Sequence, residues 1–227
     1  MKAEAVLRKL KSLYNPKNVA GMARFGINPS NTYGIAIPAL RKMAREIGRN
    51  HALAQELWSS GVHEARILAG MIDDPALVTE AQIDRWSADF DSWDVCDQVC
   101  MNLFRYTKFA FAKCSELCSR EEEFVKRTSF ALMAALASGG KSAPDAAFIR
   151  FLPLIKKAST DERNFVKKAV NWALRGIGKR NKNLNRKAIS AAKEIARLHS
   201  KSARWIASDA IRELEGEAVQ TRLAAKG

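Results

Sequence analysis

Apolar residues recur along this chain at helical rather than strand spacing. Val6, Leu7, Leu10 and Leu13 open a first amphipathic stretch. "IPALRKMAREIG" (37–48) carries Pro38 in its first turn, where a missing N–H costs nothing, and stops at Gly48. β-branched alternating runs are absent, and prolines and glycines fall mostly between the periodic blocks. The pattern predicts an all-α chain, read as a single domain over residues 1–227.

The blocks echo one another. "EFVKRTSFALMAAL" (123–136) and "NFVKKAVNWALRGI" (164–177) share an F-V-K-[R/K] start, 41 residues apart. "HEARILAGMI" (63–72) and "ARWIASDAIREL" (203–214) are looser copies, and "SWDVCDQVCMNLF" (92–104) fills the interval between 63–72 and 123–136. Each has a helical partner before it, such as "AQIDRWSADF" (81–90), "DAAFIRFLPLIKKA" (145–158) and "NRKAISAAKEIARL" (185–198). A period of roughly 30–41 residues is that of HEAT-like helix pairs. The expectation is a curved solenoid of about six antiparallel pairs, with the five similar helices lining one concave, basic groove.

Charge adds the first functional clue. The net charge is +14, and residues 161–205 hold thirteen Lys/Arg against three acids. A local excess of that size suits a polyanion, although a solvated face would carry it as well. No apolar run approaches a membrane span. The N-terminus is charged and periodic, with no basic tip before an apolar block, so a cytoplasmic protein without a membrane partner is expected.

Two clusters are candidates for chemistry. Lys168, Trp172, Arg175 and Lys179 fall at i, i+4, i+7 and i+11, a stripe of three cations and an indole that fits a phosphate backbone or a solvated face edged by a Trp. In "SWDVCDQVC" (92–100), Trp93 and Asp97 stand one turn apart on one face. Asp91 or Ser92 is placed to cap this helix, and Asp94 to complement its dipole. Asp97 is a turn too deep for either task. Cys96, Cys100, Cys114 and Cys118 form two C-x₃-C pairs among apolar neighbours. Structural zinc sites take other spacings, so core packing is expected and no metal.

At these residues the chain resembles the AlkD-type DNA alkylation repair enzymes, HEAT-like-repeat glycosylases that remove N3- and N7-alkylated purines. The resemblance rests on "WDVCD" (93–97), "FVKR" (124–127), "FVKKAVNWALRGIGK" (165–179) and "MARF" followed by "YGIAIPALR" (33–41), and it covers nearly the whole chain. It implies that Asp97 is the catalytic carboxylate. Trp93 and Trp172 become walls around the lesion's deoxyribose, Arg127 a phosphate contact beside it, and Arg175 a further backbone contact. Lys168 and Lys179 extend the DNA-binding stripe, and Phe25 lies on the rim. Ser92 stands where some members have a second Trp, and Phe25 where a tyrosine hydroxyl is found.

These residues suit that reaction. An alkylated purine is cationic and leaves readily, so the enzyme needs a negative charge near C1′ and an oriented water rather than a general acid. Indole faces add cation–π attraction to the developing sugar cation. The resemblance also implies no cofactor, action without base flipping, a monomer working on alkylated duplex DNA, and a bacterial-type, nucleoid-associated location. The rival expectation is a non-catalytic HEAT-like binder of DNA or RNA. A protein scaffold would have no need of a basic stripe around an acid.

Overall fold

Helix boundaries in the computed structural model, which describes residues 2–139 and 143–225, follow local sequence signals. Among the described residues every regular element is helical. The chain divides into two compact units, residues 1–108 and 109–227.

The first unit contains α1 (Ala3–Ser12), α2 (Pro16–Met22) with a 3-10 turn (Ala23–Phe25), α3 (Ile37–Ile47), α4 (His51–Ser59), α5 (His63–Ile72), α6 (Glu80–Ala88) and α7 (Trp93–Asn102). The side chains of Asn50 and Thr79 cap α4 and α6 by accepting from the N–H groups of Leu53 and Gln82. Pro38 sits in the first turn of α3, and Gly48 ends that helix with φ of 72°. Trp58 and Trp86 stack at 3.8 Å and, with Phe90 and Phe104, form an aromatic core. The buried Asp73 carboxylate at the end of α5 accepts from His51 and Gln82, both at 2.6 Å, and so ties α4 and α6 to it. Beside it α5 packs directly on α7. A Cβ at Gly70 would stand 3.0 Å from Val99 Cγ2 and 3.3 Å from its Cα, so any larger residue would have to push Val99 aside by a few tenths of an ångström.

The second unit contains α8 (Ala110–Leu117), α9 (Glu123–Ser138), α10 (Asp145–Ile149), α11 (Phe151–Ala158), α12 (Asn164–Gly178), α13 (Lys182–Ile195), α14 (Lys201–Leu214) and α15 (Glu217–Ala224). Helices α8 and α9, α11 and α12, and α13 and α14 form successive pairs, and the second members α9, α12 and α14 lie side by side. The repeated F-V-K motif makes one of these contacts, since Phe124 and Phe165 stack at 5.5 Å. The segment 145–158, expected as one helix, is two. Pro153 has no N–H for the carbonyl of Ile149 and its ring crowds that carbonyl, and the break falls at Arg150.

Candidate functional site

Within the first unit, the N-terminus of α7 is held from three sides. Trp93 is its first residue, and its Nε1–H donates to the carbonyl of Phe25 at 2.9 Å. That carbonyl is presented by the 3-10 turn, which ends at Gly26 with φ of 69°. The Phe25 ring itself is 72% exposed. Residue 25 therefore has two parts: a backbone oxygen that orients Trp93 and an exposed side chain. Ser92, at the N-cap, does not cap the helix. Its hydroxyl donates to Asp94 at 2.7 Å and accepts from the N–H of Asn28 at 3.3 Å, while the Asn28 amide donates to Asp91 at 2.8 Å.

Asp94 has a partner that sequence reasoning missed. His63, the first residue of α5 and almost wholly buried, places Nε2 2.9 Å from the Asp94 carboxylate. Burial pushes the imidazole toward its neutral form, but the hydrogen bond and charge of Asp94, with Glu64 and Asp91 behind them, outweigh it and raise the His63 pKa. For Asp94 burial again opposes ionisation, and His63, Ser92 and the Val95 N–H win, lowering its pKa. The adjacent Glu64 carboxylate is also buried and gathers the N–H groups of Tyr33 and Ile35 with the Thr32 hydroxyl, which fixes the loop before α3. The only signal for this was "HE" at the head of an apolar repeat, which periodicity reads as packing. Asp97, a turn beyond Trp93, is half-exposed. The helix therefore carries one acid locked to a histidine and another aligned with an indole.

In the second unit Trp172 is half-exposed on α12 and Lys168 is exposed on the same face. The stripe exists, but two of its cations are engaged. Arg175 pairs with Asp209 at 3.4 Å and more closely with Glu213, and Lys179 reaches Glu213 at 2.6 Å. Burial would raise the Glu213 pKa, but Lys179 and Arg175 hold it below the usual carboxylate value. Both acids lie on α14, which packs beside α12. Both cations, expected along the phosphates, are thus paired with acids of α14.

Arg127, expected as a phosphate contact, is a buried residue. It is only 4% exposed, and its Nη1 donates to the Phe165 carbonyl at 2.5 Å. The F-V-K-R stretch brings α9 so close to α12 that the guanidinium crosses between them, and little of its surface remains for a phosphate. The neighbouring Lys126 pairs with Asp161 at 3.2 Å. Asp161 is buried enough to resist ionisation, yet Arg163 and Lys126 hold its pKa at about 2. Cys96, Cys100 and Cys114 are buried free thiols within apolar packing, and Cys118 is partly covered. Burial drives the Cys114 thiol well above its ordinary pKa. Among the described residues no group of three His, Cys, Asp or Glu is arranged to hold a metal ion, and no helix is long and apolar enough to cross a membrane.

Known proteins share this fold and sequence. A solved structure described as a new family of proteins related to the HEAT-like repeat DNA glycosylases, with affinity for branched DNA structures, superposes with a TM-score of 0.82 at 21% identity. It covers 98% of this chain and 96% of that one, which shows the HEAT-like all-α fold. An uncharacterized protein of Listeria innocua serovar 6a is 24% identical over 195 residues, 84% of this chain and 85% of the relative. Residues 6–214 match the family described as DNA alkylation repair enzyme, and the chain belongs to that family.

Proposed function

We propose that the protein is a monofunctional DNA glycosylase that hydrolyses the N-glycosidic bond of cationic N3- and N7-alkylated purines in duplex DNA. The observation that carries this reading is the Trp93–Asp97 pair on α7, half-exposed, with the indole N–H fixed by the Phe25 carbonyl. As the base departs with the bonding electrons, C1′ acquires positive charge. Asp97 stabilises that charge, orients water for attack on C1′ and accepts the proton that the water loses. Trp93 offers an indole face to the same cation. Lys168, with Arg175 and Lys179 once released from α14, would follow the phosphates. The products are free alkylpurine and an abasic site. Incubating the protein with methylated duplex DNA and measuring free alkylated base tests this.

A second reading has its own support. The matched structure is described by affinity for branched DNA, and the ion pairs of Arg175 and Lys179 with Glu213 suit a binder that engages only part of its cationic stripe. Under that reading the protein binds junctions and releases no base. Parallel assays of base release and junction affinity separate the two.

A further inference from the structure

The second unit holds a cleft of 560 Å³, lined by Trp172 and Lys179 together with residues to which the proposed reaction gives no role, among them Arg180 and Arg222. This volume is within the range of small-ligand sites, about 300–1,000 Å³. One wall is the Trp172 indole, and the floor is small: Ala134, Ala137 and Gly176, where α12 lies against α9. A Cβ at Gly176 would already touch Ala137 Cβ at 3.4 Å. The lining where these two helices meet therefore carries no long side chain.

The rim is cationic. Arg222 of α15 is exposed and makes no hydrogen bond or ion pair among the described residues, whereas the Lys179 ammonium on the same rim is shared with Glu213. Arg180 closes the far side. One nitrogen of its guanidinium caps the end of α9 through the carbonyls of Leu136, Ala137 and Gly139, and its charge lies 4.0 Å over Phe148. Among the described residues the one acid lining the cleft is Asp145, which is occupied by the side-chain amides of Asn181 and Asn183, each at 2.8 Å.

An aromatic wall, a flat floor and an uncompensated guanidinium at the edge together match one nucleotide. The geometry points to this cleft as a seat for an unpaired nucleotide of DNA, its base stacked on Trp172 and its phosphate held by Arg222. The inference rests on the DNA-binding half of the proposed function and not on its chemistry. It gives branched or bulged DNA, which exposes unpaired bases, a physical reason to bind better than a perfect duplex.

The test uses three DNAs of one sequence: an intact duplex, a duplex with a single bulged 2-aminopurine, and the same bulge lacking a base. The protein should bind the base-containing bulge about tenfold more tightly than either other DNA, as stacking of one base supports, and 2-aminopurine fluorescence should be quenched. Trp172→Ala and Ser138→Trp, which removes the wall or fills the cleft from an exposed position, should each erase the preference. Arg222→Ala, at an exposed site that cannot disturb the core, should weaken it. Equal affinity of the parent for all three DNAs overturns the proposal, as does a preference that survives all three substitutions. Free dAMP binding as tightly as the bulge would assign the cleft to a mononucleotide and likewise overturn it. Loss of base release with the bulge preference intact would remove only the glycosylase reading, whereas no affinity for any DNA would remove both.

Discussion

Of two aspartates three residues apart on one helix, Asp94 is anchored to His63 and Ser92, and Asp97 is the one proposed for the chemistry. The sequence pattern distinguished them only by depth from the helix start. It contained nothing to identify His63, which is distant in sequence and resembles an ordinary member of an apolar repeat. Arg127 is a second residue whose surroundings were hidden in the sequence. Its place in a family motif suggested a phosphate contact, while its burial follows from how closely α9 and α12 pack, which no local pattern encodes. Arg127→Ala should therefore destabilise the fold by about 1.5–3 kcal/mol, the range for a hydrogen bond to a charged group, and leave the salt dependence of DNA binding nearly unchanged. Urea denaturation and binding at several salt concentrations check this, and a slope lowered by about one with stability intact would restore the phosphate role. Trp93→Phe removes the bond to Phe25 but keeps an aromatic face. It should lower base release while duplex affinity stays at the parent value, measured by single-turnover kinetics beside equilibrium binding.

At the level of the elements, helices α3, α5, α9 and α12 were legible almost to the residue, because Pro38, Gly48 and the F-V-K starts punctuate a strong apolar period. The break between α10 and α11 follows from Pro153 and was hidden by the apolar residues on either side. What α14 does to α12 was not legible, since Asp209 and Glu213 lie 34 and more residues beyond the cations they bind. Glu213→Gln should release Arg175 and Lys179 to phosphates. Duplex affinity should rise and the salt slope steepen by about one unit or more; no change in either would mean that the stripe does not face DNA. The His63–Asp94 anchor between α5 and α7 gives a pH signature. The His63 pKa is raised from 6.5, so its stabilisation is complete below that value and is lost as pH rises through the raised pKa. The Asp94 pKa is lowered from 3.8, so its contribution is complete above that value and lost as pH falls through the lowered pKa. Between these limits α7 is held best. His63→Gln should flatten the decline in urea midpoint as pH rises above 6.5, and an unchanged decline would show that another group titrates there.

For the molecule as a whole, helical periodicity and a repeat near 41 residues were enough to indicate stacked helix pairs, and the family match over residues 6–214 agrees. The basic balance indicated a polyanion but overstated how much of it is available, because charge counts cannot see which cations meet acids in the fold. The central claim is that Asp97 drives departure of a base that is already cationic. The most direct measurement compares free-base release from duplexes that differ only in the lesion, 7-methylguanine against uracil, by the parent protein and by Asp97→Asn. The account predicts release of 7-methylguanine alone, leaving an intact strand with an abasic site, and its loss in Asp97→Asn with duplex affinity unchanged or slightly higher. Release of 7-methylguanine by Asp97→Asn at the parent rate, or comparable release of uracil, would contradict it.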